Sequence, residues 1–297
     1  MISPLPERNL MSPSKKLLMI GLPETGKTTF LAALWYLIDG QNSTALTLDI
    51  LDGDREYLNN IRDKWLTRDR LERTKLINEP VLAFKLIDQD SKQSVELTIP
   101  DLSGETFKNQ WLKRSWTTEF ESLISNSDGA LLFIHPKQIQ EPTRIEHANL
   151  LMEEIPSIET ESVDEADDIN VEWNRDTVPT QVQLVELLQF IEDANVTSFP
   201  YKIAVVVSAW DLVKHVNHTP KRLIENRLPL LHQFLTAKND RFQTNIFGVS
   251  AQGGEYNEDD KLGEFLDASE RIEVASQNYK GHDLTMPLVW LMEENDK

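Results

Sequence analysis

Eight residues near the start of the chain carry the strongest chemical signal: Gly21-Leu22-Pro23-Glu24-Thr25-Gly26-Lys27-Thr28. The spacing Gly-x4-Gly-Lys-Thr is the Walker A pattern, and each position has a physical task. Glycines at 21 and 26 permit backbone angles that turn N–H groups inward as an anion nest. A helix starting near Lys27 aims its positive dipole end at the same point. Lys27 can reach β- and γ-phosphates, and Thr28 can place a hydroxyl on Mg²⁺. Glu24, Thr25 and Thr29 belong to the same stretch and are counted with it as nucleotide contacts, the Glu24 carboxylate pointing away from phosphate. Pro23 is the one position there that cannot donate a backbone hydrogen bond. A chance match in a chain of this length is on the order of one in a hundred; the plainer alternative is a Gly-rich helix start with a surface lysine.

A second group follows at Asp101-Leu102-Ser103-Gly104, directly after an apolar run. An acidic residue at a strand end beside the phosphate loop can hold Mg²⁺ through water, and Gly104 can offer its N–H to a γ-phosphate with no side chain in the way. Alone, Asp-x-x-Gly is a common turn; downstream of a Walker A loop it gains meaning. No other constellation competes. The six histidines lack metal-ligand spacing, His215 and His218 having no third ligand nearby, and no Ser/His/Asp arrangement is present.

These residues need elements to hold them. Lys16 to Ile20 is a short apolar run that suits a buried parallel strand, and Thr28 to Ile38 has helical spacing. A helix is predicted over 54–67, with Leu58, Ile61 and Trp65 on one side. Strands are predicted over 81–87 and 95–99, a helix over 107–124, and a buried strand over 130–134 that Pro136 closes. A further helix carries Val182, Val185, Leu188 and Ile191. Ile203 to Val207 is the clearest strand; a helix over 223–235, a strand over 245–249, a polar stretch over 252–283 and a short helix over 287–292 follow. Strands alternating with helices predict an α/β fold with a mostly parallel sheet covered on both faces.

The domain is expected to span 15–297, after a Pro/Ser-rich flexible arm at 1–14 that lacks the apolar core of a signal peptide. An insertion at about 138–178 contains the acidic tract Glu153 to Asp168, which has no basic residue. Hydrophobic residues make up 40% and charged residues 27% of the 297, enough for a packed core. With 49 acidic against 30 basic residues the net charge is -19, which disfavours nucleic acid over a broad surface. The chain has no cysteine, which excludes disulfides and thiolate metal sites and points to a reducing, cytoplasmic setting. No apolar stretch reaches the roughly 20 residues of a membrane helix, so no membrane insertion is expected.

The order of Walker A loop, strand pair and Asp-x-x-Gly resembles the Ras-like, translation-factor-related (TRAFAC) class of P-loop GTPases. That resemblance implies a Ras-like fold, Mg²⁺ and GTP/GDP as ligands, and further site residues. In the class, a hydrolysis-assisting residue, often glutamine, follows the Asp-x-x-Gly glycine; here it is Glu105. A threonine ahead of the second strand closes on Mg²⁺, a place that Thr74 fits, and Arg73 beside it can serve as an internal arginine finger or as a solvated charge. Thr28, Thr74 and Asp101 then form the metal set. Guanine is read in this class by Asn/Thr-Lys-x-Asp; here Ser208-Ala209-Trp210-Asp211 stands after the clearest strand, with Asp211 present and Ala209 in place of the lysine. Trp210 can stack on a base or sit in the core. Ser250-Ala251-Gln252 resembles the Ser-Ala-Lys loop, whose backbone N–H meets the guanine oxygen.

Residues 21–35, Arg73-Thr74, 179–188 and 281–285 together resemble bacterial double-GTPase-type proteins, which belong to multi-gene systems thought to oppose phages. The likeness covers roughly 14–134 and 179–293. It implies a GTP-binding, slowly hydrolysing switch with protein partners encoded in the same system, guanine nucleotide being its ligand. Two alternatives stay open: an ATPase of the same fold, since Ala209 replaces the lysine, and a non-hydrolysing assembly module whose nucleotide is structural, since Glu105 replaces the glutamine.

Overall fold

The computed structural model describes residues 14–40, 44–69, 71, 82–100, 105–142, 178–194, 199–254 and 267–294, without side chains for 105–108. Among these residues nine strands form one sheet. They are β1 (Lys15–Gly21), β2 (Leu46–Asp52), β3 (Leu82–Asp88), β4 (Ser94–Ile99), β5 (Gly129–Ile134), β6 (Tyr201–Ser208), β7 (Phe242–Ser250), β8 (Glu273–Ala275) and β9 (Lys280–Gly281). The sheet order is β2-β3-β4-β1-β5-β6-β7-β8-β9. The middle, from β4 through β1, β5 and β6 to β7, is parallel, and antiparallel strands flank it at both edges.

Nine helices are described: α1 (Lys27–Asp39), α2 (Arg55–Leu66), α3 (Glu105–Lys113), α4 (Thr118–Ser125), α5 (Thr180–Asp193), α6 (Lys214–Asn217), α7 (Pro220–Arg227), α8 (Pro229–Ala237) and α9 (Met286–Met292). Alternation along the central strands sends successive side chains to opposite faces, so each face receives its own core. Leu17 and Met19, Leu131 and Phe133, and Ala204 and Val206 pack with α1, α2 and α9. Leu18 and Ile20, Leu132 and Ile134, and Val205 and Val207 pack with α4, α5, α7 and α8. All eight residues of β6 are buried, as a strand covered on both faces requires. The helices on both faces are those the sequence predicts, but the sheet is mixed: its centre is parallel, and four of its eight pairings, all toward the edges, are antiparallel.

Two helix boundaries and one helix face differ from the sequence-based expectation. The helix predicted over 107–124 is two helices: Arg114 takes a left-handed φ of 50° that ends α3, and Thr117 starts α4 by accepting from the Phe120 N–H at 3.3 Å. The helix predicted over 223–235 begins earlier, where the Thr219 hydroxyl caps α7, and breaks at Pro229, which has no N–H to continue a ladder. On α5 the buried stripe runs through Leu184, Leu187, Leu188 and Ile191, while Val182 is 37% exposed. Strands β2 and β8–β9 are additions at the two edges: β2 pairs along β3, and the short β8 and β9 extend the sheet beyond β7.

The insertion leaves and re-enters at one place. Gln140 N–H donates to Thr180 Oγ1 at 2.9 Å, and Thr180 N–H donates to Gln140 O at 3.0 Å. The acidic tract Glu153 to Asp168 and the arm before residue 14 lie outside the described residues.

Candidate nucleotide-binding site

Sheet order places the site. β1 has β4 on one side and β5 on the other, so successive connections diverge there and open a crevice beyond the strand ends. Register brings those ends level: Gly21 pairs with Phe133, Ile134 with Val207, and Ser208 with Val249. The phosphate-loop sequence therefore emerges beside His135, Ser208 and Ser250.

The loop has the shape that its glycines predict. Gly21 has φ 155°, and a Cβ there would stand 2.9 Å from the Phe133 carbonyl oxygen. Gly26 has φ 89°, and a Cβ there would stand 3.0 Å from the Ser208 side chain. Any larger residue at either position would force the loop off the strands. Glu24, exposed, adds a third left-handed φ of 59°. Thr25 Oγ1 donates to Leu22 O at 2.8 Å and closes the turn. Helix α1 then begins with Gly26 as its N-cap, no capping side chain and no acidic residue in its first turn. An uncapped helix start with no acidic residue, at a positive-φ turn, is an anion cradle made from main-chain N–H groups.

Lys27 lies across that loop. It is 2% exposed, and its ammonium donates to Gly21 O at 2.8 Å and to Leu22 O at 2.9 Å. Thr28 and Thr29 are half-buried on the first turn. The basic head is thus concentrated at the point where the helix dipole is positive, inside a chain of net charge -19.

A cleft of about 420 Å³ runs from the loop over the ends of β5, β6 and β7, within the size range of small-molecule sites. Phe30 and Phe133 meet edge-to-face, 5.1 Å between ring centres, and contribute its apolar wall. Asp211, Ala251 and Gln252 line its far part. Ser250 Oγ donates to Asp211 Oδ1 at 2.5 Å and accepts the Gly253 N–H at 3.1 Å. Behind it, Trp65 at the end of α2 donates its indole N–H to Ala251 O at 3.0 Å, and Arg271 stacks 4.0 Å over the Trp65 ring. The loop after β7 is therefore tied from both sides.

Ala209 holds a left-handed φ of 45°, which turns the chain so that Asp211 faces the cleft and Trp210 does not. Of the two readings open for Trp210, the structure gives the core. Its ring is 2% exposed and covers Gly248, where a Cβ would stand 2.5 Å from it. Ser208 is 7% exposed and donates to Ile134 O at 3.3 Å, which fixes the floor between β5 and β6.

His135 also lines the cleft, and the sequence reading passes over it. Its signal is positional: a polar residue directly after a buried parallel strand that neighbours the phosphate-loop strand. Burial holds its imidazole below the usual histidine range, and Lys137 acts in the same direction, against Asp211 and Glu24. The Lys137 N–H donates to its Nδ1 at 3.2 Å, so in the neutral ring Nε2 carries the proton.

Thr25, Gly26, Lys27, Thr28 and Thr29 thus stand together at the loop and the start of α1, and Asp211 and Ala251 line the cleft, with Ser250 bonded to Asp211. Arg73, Thr74, Asp101 and Gly104 lie outside the described residues; Glu105 is the first residue of α3. Among the described residues no group of three or more His, Asp or Glu is placed to hold a metal ion, and no helix is long and apolar enough to cross a membrane.

The family model described as Double-GTPase 1 matches residues 18–291 of the chain. No curated protein is a match to it. Among solved structures, the chain is similar to the GTPase-like domain of Ski7 from S. cerevisiae, bound to GTP: 13% identity and TM-score 0.41, covering 95% of this chain and 51% of that one. A putative nucleolar GTP-binding protein 1 from Plasmodium falciparum has 14% identity and TM-score 0.38, covering 88% of each chain. The bacterial selenocysteine-specific elongation factor EF-Sec has 14% identity and TM-score 0.36, covering 87% of this chain and 30% of that one. The chain therefore spans less than a third of that factor's length.

Proposed function

The chain belongs to the Double-GTPase 1 family, and we propose that it acts as a Mg²⁺-dependent switch that binds GTP and hydrolyses it slowly. The observation that carries this reading is one cleft with a phosphate cradle at one end and a carboxylate at the other. Gly26 and Thr29 line one end, and Asp211, oriented by Ser250, lines the other.

In this proposal the loop N–H groups, the α1 dipole and Lys27 hold the triphosphate. Mg²⁺ would be held by the Thr28 hydroxyl with Asp101 and Thr74, and would supply neutralisation of phosphate charge. Asp211 accepts from guanine N1–H and the 2-amino group, and the Ala251 N–H donates to the guanine oxygen. Adenine offers no matching pair of donors, and an unpaired buried acceptor costs about 1–3 kcal/mol, so GTP is favoured over ATP by roughly tenfold or more. Glu105 orients the attacking water, and Arg73 contributes positive charge. Slow turnover follows because Glu105 supplies no positive charge and Arg73 is poorly placed until a partner orders it. The partners are then proteins of the same multi-gene system, whose contacts change with the nucleotide bound.

Nucleotide content of the purified chain, followed by turnover with GTP and ATP, tests this. Co-purified guanine nucleotide and slow GTP turnover that exceeds ATP turnover are expected. ATP turnover above GTP turnover would instead make it an ATPase. Tightly held nucleotide with no turnover of either would make the nucleotide a structural part of an assembly module.

A further inference from the structure

Gln252 stands two residues beyond Ser250 and lines the same cleft as Asp211. It is 8% exposed, and among the described residues neither its Nε2 nor its Oε1 has a hydrogen-bond partner. The backbone around it is held without its help, by the Trp65 indole on Ala251 O and by the Gly253 N–H on Ser250 Oγ. An amide removed from water with no partner costs about 1–3 kcal/mol, and the large majority of buried polar groups in folded proteins are paired. Packing alone does not account for the residue, since leucine or methionine would fill the space without that cost. The side chain's terminal torsion is broad and roughly two-fold, so the amide can turn toward the cleft it borders.

We propose that Gln252 is a second base-reading residue, and this rests on the guanine-nucleotide reading of the cleft. Its Nε2–H donates to the oxygen at position 6 of a bound guanine while Asp211 takes N1–H and the 2-amino group. A half turn of the same amide presents Oε1 instead, which accepts from the 6-amino group of adenine. Gln252 therefore strengthens purine binding at position 6 without choosing between the purines, and leaves the choice to Asp211. Glutamate at this position has acceptors only. It repels the guanine oxygen and keeps the adenine amine.

Calorimetric titration of the full chain with GTP, 6-thio-GTP, ATP and xanthosine triphosphate tests this on four proteins: unmodified, Gln252→Leu, Gln252→Glu and Asp211→Asn. The unmodified chain should bind 6-thio-GTP more weakly than GTP, because sulfur is the poorer acceptor. Gln252→Leu should lose roughly fivefold in GTP affinity and bring GTP and 6-thio-GTP closer together. Its nucleotide-free thermal midpoint should be equal or higher, since the unpaired amide is gone. Gln252→Glu should lose about tenfold for GTP and gain for ATP. GTP affinities within about twofold of the unmodified chain in both folded Gln252 variants would overturn the proposal. If Asp211→Asn still turns preference from GTP to xanthosine triphosphate, that failure is Gln252's alone. If GTP and ATP bind equally and Asp211→Asn changes neither, the guanine reading fails and the proposal falls with it.

Discussion

Ser250, at the end of β7, and Asp211, in the turn after β6, meet through a 2.5 Å hydrogen bond in which the serine hydroxyl donates to one carboxylate oxygen. That bond holds the carboxylate in place beside the cleft that Asp211 lines. A serine that also accepts the Gly253 N–H ties base recognition to the shape of the loop after β7.

Ser250→Ala should therefore act on selectivity. Losing a hydrogen bond to a charged group costs about 1.5–3 kcal/mol where it is buried, less here because Asp211 is only part-buried. GTP affinity is expected to fall by roughly five- to tenfold while ATP affinity holds. Competition binding with both nucleotides measures this, and an unchanged GTP/ATP ratio would separate Ser250 from base recognition.

Trp65→Phe keeps an aromatic surface for Arg271 but leaves the buried Ala251 carbonyl without its donor. A destabilisation of about 1–3 kcal/mol is expected, with weaker GTP binding because the loop carrying Ala251 loses an anchor. Denaturant unfolding and nucleotide titration read the two effects. Full stability and full affinity together would mean that α2 does not support the base loop.

His135 gives a pH dependence with a definite sign. Burial holds its folded pKa below the ordinary value of 6.5, so the unfolded chain takes up the proton first. Its stabilising contribution is complete above pH 6.5 and is lost as pH falls through the lowered folded value. Protonation also removes the Nδ1 acceptor of the Lys137 N–H. His135→Asn, which keeps an acceptor but does not titrate, should flatten the loss of stability between pH 7.5 and 5.5. Chemical denaturation of both proteins at several pH values checks this; identical slopes would place the acid sensitivity elsewhere.

Replacing residues 143–177 by a short Gly/Ser linker should leave nucleotide affinity nearly unchanged. Gln140 and Thr180 already hold the two ends together with mutual hydrogen bonds, so the closure does not depend on the intervening chain. Partner association is where a change is expected. A large drop in nucleotide affinity would make the insertion part of the site.

Much of this was legible in the sequence because the signals are local. The phosphate loop needs two glycines, a lysine and a threonine at fixed spacing, and buried strands such as β6 announce themselves by continuous apolar runs. Asp211 and Ser250 were legible as separate residues; their hydrogen bond was not, since it joins positions brought level only by β6–β7 register. His135 and Trp65 were missed as site residues for the same reason. One gains meaning from the strand order, and the other from a helix that packs across the sheet onto residue 251. The edge strands β8 and β9 escaped because they are only three and two residues long, and β2 was passed over although its seven residues carry Leu46, Leu48, Ile50 and Leu51.

The central claim is that the loop at Gly21–Thr28 binds the phosphates of a nucleotide through Lys27. Calorimetric titration of Mg²⁺-GTP into the unmodified chain and into Lys27→Ala, with thermal unfolding of each to verify folding, tests it most directly. Removing the loop's one side-chain cation, the ammonium that lies across Gly21 O and Leu22 O, is predicted to weaken GTP by about a hundredfold while the variant stays folded. A folded Lys27→Ala variant that binds GTP as tightly as the unmodified chain would contradict the account.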